Sequence, residues 1–223
     1  MSRIEAVSVA CVIPIVLLAA PLGAAVLFED DFDGGADPLW GNEVGNWTVT
    51  AGRYHAANPN NNPPTASTLP FDLTDFVVDV DVIDIQDGGI WLRAETSETT
   101  GYMVNGILLV TGGSGGANSG FYWHTFDNGG YSPALNPSPT GLFDPGVSDV
   151  SLQVRVTGDT YELFLNGSPT PVTTLTTSAR PSGRVGLYDY SNQAFDNFVL
   201  TPEPGSLSLL ALAGLALIRR RRR

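Results

Sequence analysis

Apolar and polar residues alternate along the middle of this chain. Val78, Val80 and Val82 fall on one parity and Asp79 and Asp81 on the other, while Val150, Leu152, Val154 and Val156 alternate with Ser151, Gln153, Arg155 and Thr157. Successive side chains of a strand point to opposite faces, so a period of two predicts strands with one buried and one solvated face. Gly158-Asp159, between Thr157 and Thr160, and Asn166-Gly167, after Tyr161 to Leu165, accept the positive φ of tight turns. The same reading predicts strands at Leu27 to Phe32, Trp47 to Val49, Arg53 to Ala56, Gly89 to Ala94, Tyr102 to Leu109, Phe121 to Phe126, Arg184 to Tyr188 and Phe195 to Leu200. No long helical period lies between the two ends. Many short strands separated by Gly, Pro and Asn predict an all-β fold, a two-sheet antiparallel sandwich or jelly roll. Asn58 to Pro64 and Ser132 to Pro145 are too rich in Pro and Asn for ladder positions, and Gly112 to Gly120 reads as a flexible loop.

The two ends break this pattern. Met1-Ser2-Arg3 leads into an apolar run from Val7 to Ala20 that reaches small residues at Gly23-Ala24-Ala25. That order predicts a secretory signal peptide over 1–25, cleaved near Ala25; an uncleaved anchor is the alternative. At the other end Pro202-Glu203-Pro204-Gly205 precedes an apolar run to Ile218, then Arg219 to Arg223. A membrane segment over 205–218 with its arginines held inside leaves the 26–200 body outside. This tripartite tail, 201–223, resembles the PEP-CTERM sorting signal. The resemblance implies that Pro202, Glu203 and Pro204 are recognised by an exosortase-type processing enzyme, and that the protein is exported, held at the membrane by its tail and then placed at the cell surface or outside the cell. An ordinary tail anchor is the alternative.

Composition narrows the chemistry. The only cysteine, Cys11, lies in the predicted signal peptide, and the chain has no lysine. Structural disulfides, thiol catalysis, cysteine zinc sites, Schiff bases and a Walker lysine are therefore excluded from the body. Of the 23 acidic residues only Glu5 and Glu203 lie outside 26–200, which leaves 21 there against five arginines, a net charge of −16. Such a surface repels nucleic acid and attracts cations.

The body carries a second resemblance. Phe28-Glu29-Asp30-Asp31-Phe32-Asp33-Gly34, Trp47-Thr48-Val49, Gly88-Gly89-Ile90-Trp91-Leu92-Arg93-Ala94 and Gly101-Tyr102 resemble the front of a concanavalin-like, LamG-like jelly roll. Val154-Arg155-Val156-Thr157-Gly158-Asp159, Leu163-Phe164-Leu165-Asn166-Gly167, Gly183-Arg184-Val185-Gly186-Leu187 and Phe195-Asp196-Asn197-Phe198 resemble its back half. That superfamily includes binding modules, lectins and glycoside hydrolases, so the resemblance implies a fold and leaves the activity open. Its retaining hydrolases place two glutamates and an aspartate along one strand. No Glu-x-Asp-x-x-Glu occurs here, which favours a carbohydrate-binding or structural module over a glycan-active hydrolase. By parity Trp91 and Arg93 share one side of a strand, and Tyr122, His124 and Phe126 share one side of another. Trp91, Arg93, Tyr102 and His124 are accordingly the expected polysaccharide-binding residues, rings for stacking and polar groups for hydrogen bonds. Related jelly rolls join their first and last strands through calcium, which here nominates Asp31, Asp33 and Asp196.

Overall fold

The computed structural model describes residues 25–203. The predicted signal helix and the predicted C-terminal membrane helix lie outside the described residues, within which no helix is long and apolar enough to cross a membrane. Among the described residues fourteen strands form two antiparallel sheets. One sheet contains β1 (Phe28–Asp30), β2 (Trp47–Thr50), β3 (Arg53–Ala56), β5 (Phe76–Ile83), β10 (Val150–Thr157), β11 (Thr160–Leu165), β12 (Thr173–Thr176) and β14 (Ala194–Pro202). Its order is β12-β11-β10-β5-β14-β3-β2, with β1 also on β14. The other contains β4 (Ser67–Thr68), β6 (Gly88–Thr96), β7 (Met103–Thr111), β8 (Phe121–Asp127), β9 (Gly130–Tyr131) and β13 (Arg184–Asp189), in the order β4-β13-β6-β7-β8-β9. The all-β, two-sheet expectation is met. The short strands β4, β9 and β12 carry too few residues to register as alternation.

Parity becomes packing where the sheets face each other. Phe76, Val78, Val80 and Val82 of β5 meet Val156, Val154, Leu152 and Val150 of β10 in register, and these residues join the main core between the sheets. From the opposite sheet Ile90, Leu92, Ile107, Leu109, Phe121 and Trp123 enter the same core. The outward carboxylates of β5 take neighbours across the ladder: Asp79 accepts from Gln153 Nε2 at 2.8 Å, and Asp81 accepts from Asn197 Nδ2 at 2.9 Å.

Turn chemistry follows the sequence closely. Thr157 pairs with Thr160 across Gly158, whose φ is +55°. Asn166 and Gly167 have φ of +51° and +71°, but β12 begins only at Thr173, so they bend the chain without closing a two-residue hairpin. Strand β1 ends at Asp30, whose carboxylate accepts the backbone N–H of Phe32 and Asp37 and the indole N–H of Trp40, each at 2.9 Å. Gly89 allows β6 to lie against β7, since a Cβ there would fall 1.9 Å from the carbonyl oxygen of Leu109.

The six-stranded sheet is apolar on both faces. Trp91, Ala94, Leu108, Val110, Tyr122, Phe126 and Tyr188 form a second cluster on its outer side, together with Met103 and Ala66. A sheet face directed to water is usually polar. Here loops and side chains partly cover an apolar floor, and the cover leaves depressions.

Candidate glycan-binding face

Sequence parity places Tyr122, His124 and Phe126 together, and β8 does present them on the outer side, opposite the core residues Phe121 and Trp123. The His124 ring stands 5.1 Å from Tyr122 and 5.2 Å from Tyr131, centroid to centroid, and Tyr131 packs edge-on to Phe126 at 4.7 Å. Asn61, Asp87, Ser114, Val110, Tyr188 and Tyr190 complete a pit of about 180 Å³ around His124 and its two tyrosines. Tyr188 comes from β13 by the same period of two that sends Val185 and Leu187 into the core.

A trench of about 660 Å³ continues from the pit, sharing Asn61, Tyr131 and Tyr190 with it. One wall is the Asn60 to Pro64 loop, braced by its own groups: Asn60 Oδ1 accepts the N–H of Asn61 at 2.7 Å and of Asn62 at 3.1 Å. Tyr102, Met103, Phe126 and Gly129 also line it. Tyr102 is 47% exposed and Tyr190 is 46% exposed, so two aromatic faces remain open to solvent along one groove. Rings with one face free are the usual platforms for apolar faces of a ligand.

Among the residues lining pit and trench Asp87 is the one carboxylate, and no arginine or lysine lines either. Burial pushes its carboxyl up to about 6. No described donor lowers that value, so its oxygens remain free to accept hydrogen bonds from a bound molecule. Burial also pushes Tyr122 up to about 12, raises Tyr131 and Tyr188 further, and lowers His124 below its ordinary value. The face is thus lined by neutral tyrosines, a neutral imidazole and one acid. His124 Nδ1 and the Tyr131 hydroxyl are enclosed, the imidazole beside the backbone of Ser132 and Pro133 and the Tyr131 hydroxyl beside the Tyr188 hydroxyl.

The loop read from sequence as flexible forms a 3-10 turn at Ser114–Gly116 against this site. Gly115 lies so close to Tyr122 that a Cβ would stand 2.6 Å from the ring.

The four residues expected to bind polysaccharide do not converge. Tyr102 lines the trench and His124 lines the pit, but Trp91 is fully buried beneath them, donating its indole N–H to the Thr65 carbonyl at 3.1 Å. Arg93 is 2% exposed and does not share a side with Trp91. A bulge interrupts the β6–β7 register between Leu92 and Glu95, and Arg93 adopts φ of +44° there. One inserted residue reverses parity, which brings Ala94 out beside Trp91 and sends Arg93 inward. Its guanidinium donates to the carbonyls of Thr74, Arg180 and Gly158 and to the Tyr161 hydroxyl. Arg93 therefore locks the end of the sandwich and contacts no groove.

Of the acidic trio, Asp33 and Asp196 lie near enough for their charges to interact, but the three do not form a ligand set. Strand β1 does pair with β14, Asp30 opposite Phe198. Asp31 accepts the Asp33 N–H at 3.1 Å, while Asp196 opposes Asp81 across the β5–β14 ladder. Burial raises the Asp196 pKa, and the nearby charges of Asp81 and Asp33 add to it. Among the described residues no three His, Cys, Asp or Glu side chains converge as metal ligands.

No family model matches the chain, and no curated protein matches it by sequence. Solved structures do match it in shape. A Bacillus subtilis protein of unknown function with a galectin-like fold aligns over 79% of this chain and 96% of its own, at TM-score 0.57 and 10% identity. The carbohydrate-binding module CBM66 from Bacillus subtilis covers 74% and 92%, at 0.52 and 16% identity. The Bacillus licheniformis β-glucanase covers 79% and 97%, at 0.50 and 14% identity. The chain has the jelly-roll fold. At these identities the likeness establishes the fold and leaves function to the site.

Tyr190, Asp87, Tyr131, Tyr188 and Asn61 escaped the sequence reading. Only Tyr188 had a local signal there, the alternation of β13. Asp87 and Tyr190 follow from a contact between two loops, where the Tyr190 N–H bonds the Asp87 carbonyl at 3.0 Å.

Proposed function

We propose that this is an exported carbohydrate-binding module, held through its tail at the cell envelope, whose outer six-stranded face binds glycan. The observation that carries the reading is the groove in which exposed Tyr190 and Tyr102 line a trench that opens from an aromatic pit containing one unpartnered carboxylate, Asp87. Stacking on tyrosines and hydroxyl hydrogen bonds to a carboxylate and an amide are the complementary parts of sugar recognition. The shape neighbours named as a carbohydrate-binding module and a β-glucanase support a glycan ligand in general terms.

Binding is favoured over hydrolysis because retaining or inverting chemistry needs a pair of carboxyl groups across the scissile bond. Pit and trench together offer only Asp87. Export and sorting rest on the two terminal patterns, with Pro202, Glu203 and Pro204 as the motif that an exosortase-type enzyme reads.

A glycan array followed by calorimetry tests the binding reading. The parent protein retains a glycan without releasing reducing ends, and Tyr190→Ala weakens binding about tenfold with an unchanged melting temperature. Release of products, or full affinity in Tyr190→Ala, would count against it. Mass spectrometry of the mature C-terminus after replacing Glu203 tests sorting, and an unchanged terminus removes that part.

A further inference from the structure

Resting on that reading, we infer that a glycan chain without acidic groups lies along the outer face, an internal stretch of it filling the site while both of its ends run on into solvent. Two independent features lead there, a line of three depressions along the strands and the charge of their lining.

Beside the pit lies a third depression of about 430 Å³, lined by Gln86, Gly113, Asn118, Pro145 and Ser191. It adjoins the pit at Asp87 and Tyr190, as the trench adjoins the pit at Asn61, Tyr131 and Tyr190. Strand register puts the three in order. Tyr188, Val110 and Tyr122 of the pit stand with Gly89 on one rung across β13, β6, β7 and β8. The next rung in one direction joins Asp189, Gly88, Thr111 and Phe121, and just past it come Asp87 and Gly113 of the third depression. In the other direction β8 offers His124 to the pit and then Phe126 to the trench, where Met103 at the start of β7 also lies. The groove therefore runs parallel to the strands, and the pit is its middle. Between Met103 and Thr111 the chain of β7 advances roughly 27 Å, at about 3.4 Å per residue, a length that takes several sugar rings. Tyr190 borders all three depressions and meets the middle of a bound chain. Tyr102 offers a ring face at one end, and the Asn118 amide and Ser191 hydroxyl offer hydrogen bonds at the other.

Charge selects among chains. Among the described residues lining the three depressions Asp87 is the one carboxylate, and none is an arginine or lysine. An acidic ring seated beside Asp87 would set two like charges close together in partly desolvated surroundings, with no cation to offset them, which costs affinity. Hydroxyl and amino groups both donate to a carboxylate, so neutral and amino-sugar chains meet the same requirement.

The test uses oligosaccharides of two to eight rings, and the parent polymers, from neutral glucans, galactans, mannans, xylans and fructans, from chitosan and from polygalacturonate. For the series that binds, calorimetry is expected to show affinity rising at least tenfold from two rings to five or six, surviving chemical capping of both chain ends, and several proteins on each polymer chain. Tyr102→Ala and Asn118→Gly, at opposite ends of the groove, should each weaken binding of the longest oligomers about threefold or more and leave disaccharides within twofold. Glycine keeps the φ of +68° at position 118, so the melting temperature is retained. Galacturonate oligomers should bind at least tenfold more weakly than the binding series, and Asp87→Asn should narrow that gap several-fold. A plateau at two rings, loss of binding on capping, or a single protein on each polymer chain would overturn binding along the length, as would end variants that match the parent at every length. Acidic oligomers that bind as well as the best other series would overturn the charge assignment. Failure of every series to bind would instead remove the glycan-binding reading itself, an outcome distinct from these.

Discussion

Arg93 and Trp91 stand two residues apart and serve different parts of the molecule. Trp91 is fully buried, edge-on to Phe126 at 5.3 Å and to Tyr188 at 5.9 Å, so it is the floor beneath the groove. Arg93 donates to the carbonyls of Thr74, Gly158 and Arg180, the last of which also accepts the Tyr161 hydroxyl at 3.3 Å; it lies 3.5 Å from the Asp75 carboxylate, and its guanidinium carbon lies 5.2 Å from the Tyr161 ring centroid. Replacing it with alanine leaves the Thr74 and Gly158 carbonyls without this donor and Asp75 without its ion pair, a loss of about 3 kcal/mol. Arg93→Ala is therefore expected to lower the melting temperature by roughly 10 °C, and Arg93→Lys to recover only part of it, since one ammonium cannot reach a fork of carbonyls. Scanning calorimetry checks this; a variant that melts with the parent would show Arg93 to be dispensable. The two residues also show where sequence reading stops. Alternation in β5 and β10 is legible because each has one dry and one wet face, whereas in β6 a single bulge residue at Arg93 reverses the parity and nothing in its immediate sequence marks the slip.

At the scale of elements the informative strand is β14, which pairs with β5, β1 and β3 and closes the larger sheet. Its last residue, Pro202, opposes Phe76, and the next N–H, from Glu203, bonds the Asp75 carbonyl at 3.0 Å. The Glu203 carboxylate lies 3.9 Å from Arg155, whose guanidinium also covers the Phe164 ring. Two members of the proposed sorting motif are thus held by the sheet, and Pro204 lies outside the described residues. A Glu-specific endoprotease is expected to cut after Glu203 at least tenfold more slowly in the folded protein than in a peptide of the same sequence, because access requires the last rungs to fray. Arg155→Ala should raise that rate only about twofold, since an exposed ion pair of this length contributes about 0.5 kcal/mol or less. Mass spectrometry of the released fragment reads both; cutting at the peptide's rate would mean that the motif is not docked. The strand was legible in Phe195 to Leu200, but its extension to Pro202 was not, because it depends on the partner strand β5 and on Arg155.

The molecule carries its charge unevenly, 21 acids to five bases over 26–200, and among the described residues Asp189 and Asp87 are placed where burial makes ionisation strongly unfavourable. Asp189 is fully buried, accepts N–H bonds from Ala56 at 3.3 Å and Ser191 at 3.0 Å, and is pushed by burial up to about 7; Asp87 is pushed up to about 6. Both are raised above the ordinary aspartate value near 3.9, so between that value and the folded one the native state holds more protons than the unfolded chain. Stability contributed by these groups is complete below about pH 4, falls as the pH rises through 6 to 7, and is constant above. For Asp189 the fall is on the order of 2–4 kcal/mol. The melting temperature should therefore decline from pH 4 to pH 7, more steeply than general repulsion among surface carboxylates would cause. Added salt separates the two contributions: it screens the surface and raises the melting temperature at pH 7, but leaves the buried Asp189 nearly untouched. Asp189→Asn keeps one oxygen acceptor and removes the ionisation, so its profile at high salt should flatten between pH 5 and pH 7. A mutant profile parallel to the parent's across that window would show that Asp189 does not titrate there.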